Sequence, residues 1–154
     1  MKIRVLWEGK TKDAHVRAIQ QDLAERIGHF TTLTLEEFPA PHRAASSRGT
    51  ALSTSERALL EKLGRATKVW LDPRGRERTS EEFARWLETE MVRGSRELAF
   101  VVGGPDGFSA PFREQADELL SLSRMTLTHD WARVFLLEQI YRAFTIMRGF
   151  PYAK

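Results

Sequence analysis

The stretch Leu98-Ala99-Phe100-Val101-Val102-Gly103-Gly104-Pro105-Asp106-Gly107 decides the fold. Its first five residues are an unbroken apolar run, the pattern of a strand covered on both faces, as in a parallel sheet. The run stops at two glycines and a Pro-Asp-Gly turn. In open α/β sheets, ligands sit beyond the carboxyl ends of strands, and glycine there lets the backbone approach a ligand closely. Alone, such a connection is an ordinary tight turn, so its meaning depends on what flanks it.

Upstream, strand-like and helix-like patterns alternate. Thr79 with Glu82 is a capping box, and it opens a helix burying Phe83, Leu87 and Met91 that ends at Gly94. Lys68-Val69-Trp70-Leu71 reads as a buried strand ended by a turn at Asp72-Pro73-Arg74-Gly75. A second box, Ser53 with Glu56, starts a short helix that Gly64 closes. The basic stretch from Pro39 to Gly49 has few large apolar groups and reads as a mobile loop. Thr31–Phe38 and Lys2–Trp7 read as strands. Between them Asp13 caps a helix with an apolar stripe of Val16, Ile19, Leu23 and Ile27, and Gly28 lies just past its end.

Downstream, Pro111–Glu118 reads as helical and Leu119–Leu127 as partly extended. A long helix follows from His129 to Arg148, carrying Trp131, Val134, Phe135, Leu137, Ile140, Tyr141 and Phe144. This alternation predicts one α/β domain over residues 1–154, a mostly parallel sheet flanked by helices.

Composition narrows the class. Hydrophobic residues at 42% and charged residues at 29% fit a soluble globular protein. There is no cysteine, which excludes disulfides, thiolate nucleophiles and Cys-ligated zinc and agrees with a reducing cytoplasm. No apolar run approaches the roughly 20 residues of a membrane helix, and the apolar start is too short for a secretion signal. A cytoplasmic protein without membrane contact is expected. Net charge is +3. Residues 1–123 carry 19 basic and 19 acidic groups, so the excess comes from Arg124, Arg133, Arg142, Arg148 and Lys154 against Asp130 and Glu138. A basic tail permits nucleic-acid binding, and a solvated helix face is the bland alternative.

Other motifs fail on their chemistry. Gly9-Lys10-Thr11 resembles the end of a P-loop, but the position needing the first glycine holds Arg4. The turn after Val102 is not a dinucleotide fingerprint, and no serine sits in a G-x-S-x-G elbow. His15, His29, His42 and His129 form no ligand spacing, so no metal site is expected. Three strand ends remain: Leu71 to Gly75, Gly103 to Gly107, and Ser121 to Leu127.

These blocks, with Thr128-His129, Ala132 to Ala143 and Pro151-Tyr152, resemble in order and spacing the RlmH family of ribosomal RNA methyltransferases. The likeness extends more loosely through Leu71-Asp72, Gly75 and Ser80 to Ala84, and so spans essentially the whole chain. It implies a SPOUT fold with a C-terminal trefoil knot, working as a homodimer. It also implies S-adenosyl-L-methionine bound by Leu71, Gly103, Leu122, Ser123, Arg124, Met125, Thr126 and Leu127. The implied reaction is methylation of N3 of a pseudouridine in 23S ribosomal RNA, on the ribosome. Arg142 is the implied catalytic group, stabilising the N3 anion or holding phosphate, with Tyr152 and Lys154 touching RNA. Arg124, Arg133, Arg148 and Lys154 would add phosphate contacts.

The chain departs from the family at two places. The family's tail reads Pro-Tyr-His plus a basic residue, where this chain has Pro151-Tyr152-Ala153-Lys154. Thr128 stands where the family has Pro, and can cap the following helix. A non-catalytic RNA- or ribosome-binding SPOUT protein, or a methyltransferase with another RNA target, are the alternatives.

Overall fold

A computed structural model describes residues 1–39 and 51–152. The expected Pro39–Gly49 loop, except for Pro39 itself, and the tail residues Ala153 and Lys154 lie outside the described residues. In chain order the elements are β1 (Lys2–Glu8), α1 (Ala14–Gly28), β2 (Thr32–Phe38), α2 (Thr54–Leu63) and β3 (Thr67–Glu77). They continue with α3 (Ser80–Val92), β4 (Glu97–Val102), α4 (Ala110–Arg113), β5 (Glu118–Ser121) and α5 (His129–Arg148). The five strands pair in the order β2-β1-β4-β3-β5, and every pairing is parallel. The expected α/β architecture is therefore the observed one.

Alternation along the strands makes two cores. Ile3, Val5 and Trp7 of β1, with Leu98, Phe100 and Val102 of β4, face α1, α3 and α5, where Leu23, Ile27, Phe83, Leu87, Leu137, Ile140 and Phe144 meet them. Leu6, Trp70, Ala99 and Val101 face the other way, onto Leu59 and Leu63 of α2 and Phe112 of α4. Trp70 stacks flat on Phe112 at 4.7 Å between centroids and donates its indole N–H to the Phe112 carbonyl at 2.8 Å. The buried ring keeps its polar end satisfied that way.

The helix caps follow the local sequence. Both capping boxes form, Ser53 with Glu56 and Thr79 with Glu82. Asp13 accepts from the His15 and Val16 amides, and those bonds hold its carboxyl below the usual range. Thr128 accepts from the Trp131 amide at the start of α5, the role expected of it in place of Pro.

Four expectations need correction. Gly28 is the last residue of α1 and not a residue beyond it, His29 taking the cap. Ile19 is 41% exposed, and the buried stripe uses Gln20 instead. β3 does not end at Asp72-Pro73-Arg74-Gly75. It bulges there and pairs again, so that Leu120 of β5 faces both Leu71 and Arg76. Pro73 has no N–H for the ladder, and the Asp72 carboxylate takes the Arg74 amide at 2.8 Å, which shapes the bulge. Finally, the helix expected over Pro111–Glu118 is only one turn. Asp117 ends it by exchanging hydrogen bonds with Lys68: its amide donates to the Lys68 carbonyl, and its carboxylate accepts the Lys68 amide at 2.7 Å. Sheet pairing from 49 residues away outcompetes the local helix.

Gly75 is where the two chain segments come closest. A Cβ there would lie 2.5 Å from the Leu119 carbonyl carbon and 2.6 Å from the Leu120 nitrogen, so only glycine lets β5 pass.

Candidate functional site

The carboxyl ends of β3, β4 and β5 converge on one cleft of about 290 Å³. β3 contributes Leu71, Asp72 and Pro73, and β4 contributes Val102 and the Gly103-Gly104-Pro105 turn. The segment after β5 supplies Leu122, Ser123, Arg124, Met125, Thr126 and Leu127, and α5 closes it with His129 and Ala132. All eight residues expected to hold a cofactor therefore line a single space. Most of the residues lining it are apolar, with Ser121, Ser123, Thr126 and His129 among them, the usual make-up of a small-molecule site.

Short polar contacts fix the loops. The Ser123 hydroxyl accepts the Met125 amide at 2.9 Å, which ties a turn within the 122–127 segment. Arg113 donates to the Phe108 carbonyl at 2.9 Å and stands 4.0 Å from the Asp72 carboxylate, tying the β4 turn to the β3 bulge. A Cβ on Gly103 would lie 3.1 Å from the Phe108 ring, so a larger residue there must displace either the ring or whatever occupies the cleft.

Glu8 was not found by sequence reading. Its carboxylate accepts the Gly104 amide at 3.1 Å, and it sits where a Cβ on Gly104 would be, 2.5 Å from Oε1. The signal is register. Trp7 of β1 pairs with Val102 of β4, so the next residue of each strand enters the same turn, but this can be seen only once β1 and β4 are known to be neighbours.

Arg133 was expected to contact phosphate and does not. It is fully buried, donating to the Thr11 hydroxyl at 2.9 Å and to the Glu8 carbonyl. Its guanidinium lies 5.1 Å from the Trp7 ring centroid and 3.3 Å from the Asp130 carboxylate. Burial lowers its pKa, opposed by Asp130, Glu37 and Glu8. Arg133 therefore clamps α5 to the end of β1. A charge on a helix tail reads as solvated because sequence does not show which face turns inward.

Arg142 and Tyr152 lie together but away from the cleft. The Arg142 guanidinium holds the Glu138 carboxylate through two nitrogens, at 2.7 and 3.1 Å, and covers the Tyr152 ring at 4.8 Å. Burial, with Glu138 adding to it, raises the Tyr152 pKa. On one helix, the 13 residues from His129 to Arg142 span about 20 Å. Arg124 and Arg148 are exposed, and Lys154 lies outside the described residues. Along the same helix Trp131 and Phe135, one turn apart, are 52% and 41% exposed.

Comparison with known proteins gives a consistent picture. A family profile described as "Predicted SPOUT methyltransferase" matches residues 1–153. Proteins named ribosomal RNA large subunit methyltransferase H from Geotalea daltonii and Geotalea uraniireducens are 43% and 44% identical, each match covering 99% of both chains. The Geobacter sulfurreducens protein of that name is 43% identical with the same coverage. Among solved structures, a probable methyltransferase from Bordetella pertussis superposes with a TM-score of 0.53 at 17% identity, covering 92% of this chain and 95% of that one. A probable methylase family protein from Haemophilus influenzae reaches 0.56 at 14% identity, covering 99% of this chain and 70% of the other. At such identities the structural likeness speaks for the fold alone.

Proposed function

The chain belongs to the ribosomal RNA large subunit methyltransferase H family of SPOUT methyltransferases, and from that premise we propose that it methylates N3 of a pseudouridine in 23S ribosomal RNA. The methyl donor is S-adenosyl-L-methionine, the setting is the cytoplasm, and residues 1–154 act as one domain. The observation that carries this reading is the convergence of Leu71, Gly103 and Leu122 to Leu127 on one cleft.

The residues present suit the donor. Leu71, Leu122 and Leu127 offer apolar walls for an adenine ring, and the 122–127 segment lining the cleft would offer peptide groups for its polar edge. When bound there, the donor supplies a methyl group already activated by its sulfonium. The chain's own work is then to align the attacking nitrogen and to ease loss of its proton. A guanidinium serves the second task by stabilising the N3 anion. Arg142 is the residue assigned to it, its orientation fixed by Glu138 and by stacking on Tyr152. RNA contacts are assigned to Arg142, Tyr152 and Lys154, with Arg124 and Arg148 on phosphate.

The separation of about 20 Å along α5 means that Arg142 of the same chain does not reach the cleft. A second copy supplies it in a homodimer. The exposed Trp131 and Phe135, beside the cleft residues His129 and Ala132, are an apolar surface suited to that contact. The trefoil knot belongs to the same proposal. It rests on membership of the SPOUT family.

The test is incubation of pure protein with radiolabelled S-adenosyl-L-methionine and ribosomes carrying the unmethylated pseudouridine. Label on that pseudouridine is expected, and its absence overturns the proposal. Arg142→Ala is expected to lose at least a hundredfold in turnover while keeping its affinity for the donor. Turnover near wild type removes Arg142 from the mechanism.

A further inference from the structure

The peptide link between Gly103 and Gly104 joins two residues that line the cleft. Neither has a Cβ, so the torsions on both sides of the link are freer than anywhere else in the site. Such a link keeps one orientation only if something outside the turn holds it.

What holds it comes from another strand. The Glu8 carboxylate, at the end of β1, accepts the Gly104 amide at 3.1 Å. A carboxylate on a backbone N–H is a stronger hydrogen bond than a neutral pair. Because the link is planar and trans, the Gly103 carbonyl is thereby turned away from Glu8. Glu8 is not among the residues lining the cleft, so it grips the turn without entering the site.

This contact, and not backbone torsion, is what requires glycine at 104. Gly104 is not one of the glycines with positive φ. A Cβ there would fall 2.5 Å from Glu8 Oε1 and 2.6 Å from Oε2. The space of the missing side chain is filled by the carboxylate.

Glu8 is itself anchored through its backbone. It pairs with Phe38 at the end of the β1–β2 ladder, and its carbonyl accepts from Arg133 of α5. Arg133 is fully buried and also donates to the Thr11 hydroxyl at 2.9 Å. It directly follows Ala132 and stands about one helical turn after His129, and both of those residues line the cleft. Glu8 is thus the joint at which the β4 turn and the start of α5 are tied to one point.

We propose that Glu8 is a positioning residue for the methyl donor, locking the Gly103-Gly104 peptide in its binding orientation before S-adenosyl-L-methionine arrives. The role rests on the methyltransferase reading of the cleft. Without the bond the peptide is free to turn over, and donor binding must then order it, which lowers affinity and leaves the later chemistry alone.

The experiment measures S-adenosyl-L-methionine affinity by calorimetry, methyl transfer to ribosomes carrying the unmethylated pseudouridine, and melting temperature. Glu8→Ala is expected to weaken donor affinity roughly tenfold, with kcat at saturating donor and KM for ribosomes within about twofold of wild type. Glu8→Gln keeps an oxygen for the Gly104 amide and is expected to restore affinity to within about threefold of wild type. Gly104→Ala puts a methyl group where the carboxylate sits, so its loss should match that of Glu8→Ala, and the double variant should add little more. Donor affinity within about twofold of wild type in Glu8→Ala overturns the proposal. A Glu8→Gln protein as weak as Glu8→Ala also overturns it, because the acceptor is then not what matters. Should Glu8→Ala fail to fold, Gly104→Ala takes its place against the same threshold. Wild-type protein that binds no donor counts against the methyltransferase reading of the cleft, an outcome separate from these.

Discussion

The two edges of the sheet are built differently. At one, β2 runs beside β1 in unbroken register through seven residue pairs, Lys2 with Thr32 to Glu8 with Phe38. At the other, β5 meets β3 through three pairs, a bulge, and two more pairs. The regular edge presents its chemistry through side chains, Trp7, Gln20 and Arg17 around a cavity. The bulged edge presents the Gly103-Gly104-Pro105 turn and the 122–127 segment around the cleft. A bulge interrupts the ladder locally and re-aims the chain, whereas the unbroken β1–β2 ladder keeps its strand straight.

The largest expected effect tests whether that interruption is obligatory. Gly75→Ala puts a methyl group 2.5 Å from the Leu119 backbone, and neither segment can retreat without losing the β3–β5 pairing. A loss of roughly 3–5 kcal/mol is expected, lowering the melting temperature by about 10 °C or more. A melting temperature within about 2 °C of wild type would mean that the two edges are equally pliable.

Next is Gly103→Val, in the turn after β4. The branched side chain meets the Phe108 ring at 3.1 Å and intrudes on the cleft. Calorimetry is expected to show S-adenosyl-L-methionine affinity reduced more than tenfold, with melting lowered far less than by Gly75→Ala. Unchanged affinity would make this turn a connection only.

The regular edge has a pH signature. Arg4 donates to Glu36 at 2.7 Å and to Glu97 at 2.7 Å, and Lys62 adds a contact to Glu36 at 2.7 Å. The hydrogen bond from Arg4, aided by Lys62, holds the Glu36 carboxyl at about 2 against an ordinary 4.5. Because the folded value is the lower one, this stabilisation is complete above pH 4.5 and is lost as pH falls toward 2. The gap in melting temperature between wild type and Glu36→Gln should therefore be constant near neutrality and close through that window. A gap independent of pH would exclude the ion pair as its source.

The smallest effect has the opposite sign. Gly28 ends α1 with nothing within 4 Å of a Cβ, so Gly28→Ala should stabilise by about 0.5–1 kcal/mol, seen as a rise of roughly 1–3 °C in melting temperature. A loss comparable to that of Gly75→Ala would erase the contrast between the two glycines.

What the sequence disclosed follows the same division. Features set within a few residues were legible: both capping boxes, Thr128 as a cap, the apolar runs of β1 and β4, and the long α5. Resemblance named eight residues in three blocks, and the fold brings all eight onto one cleft. The bulge in β3 was not legible, since its geometry is completed by Leu119 and Leu120 more than 40 residues later. The one-turn α4 was missed for the same reason, Asp117 answering to Lys68 and not to its own helix. Arg133 and Glu8 escaped because their roles depend on which strand lies beside which. That Trp7 Nε1 and Gln20 Nε2 are buried without an acceptor among the described residues depends on tertiary packing that composition cannot show.

The spatial order β2-β1-β4-β3-β5 also sets an order in time. As the chain leaves the ribosome, β1 and β2 can pair at once, but β3 has no neighbour to pair with until residues 97–102 exist to join it to β1. Non-local pairing of this kind is intrinsically slow. The cleft takes walls from β3, β4, the segment after β5 and α5, so it does not exist until nearly all of these elements have been made. A ligand of this cleft, the place proposed for the methyl donor, would therefore rescue no partial fold during synthesis. By mass action such a ligand would stabilise only the finished protein, so that its concentration would govern survival of the native state, not arrival at it.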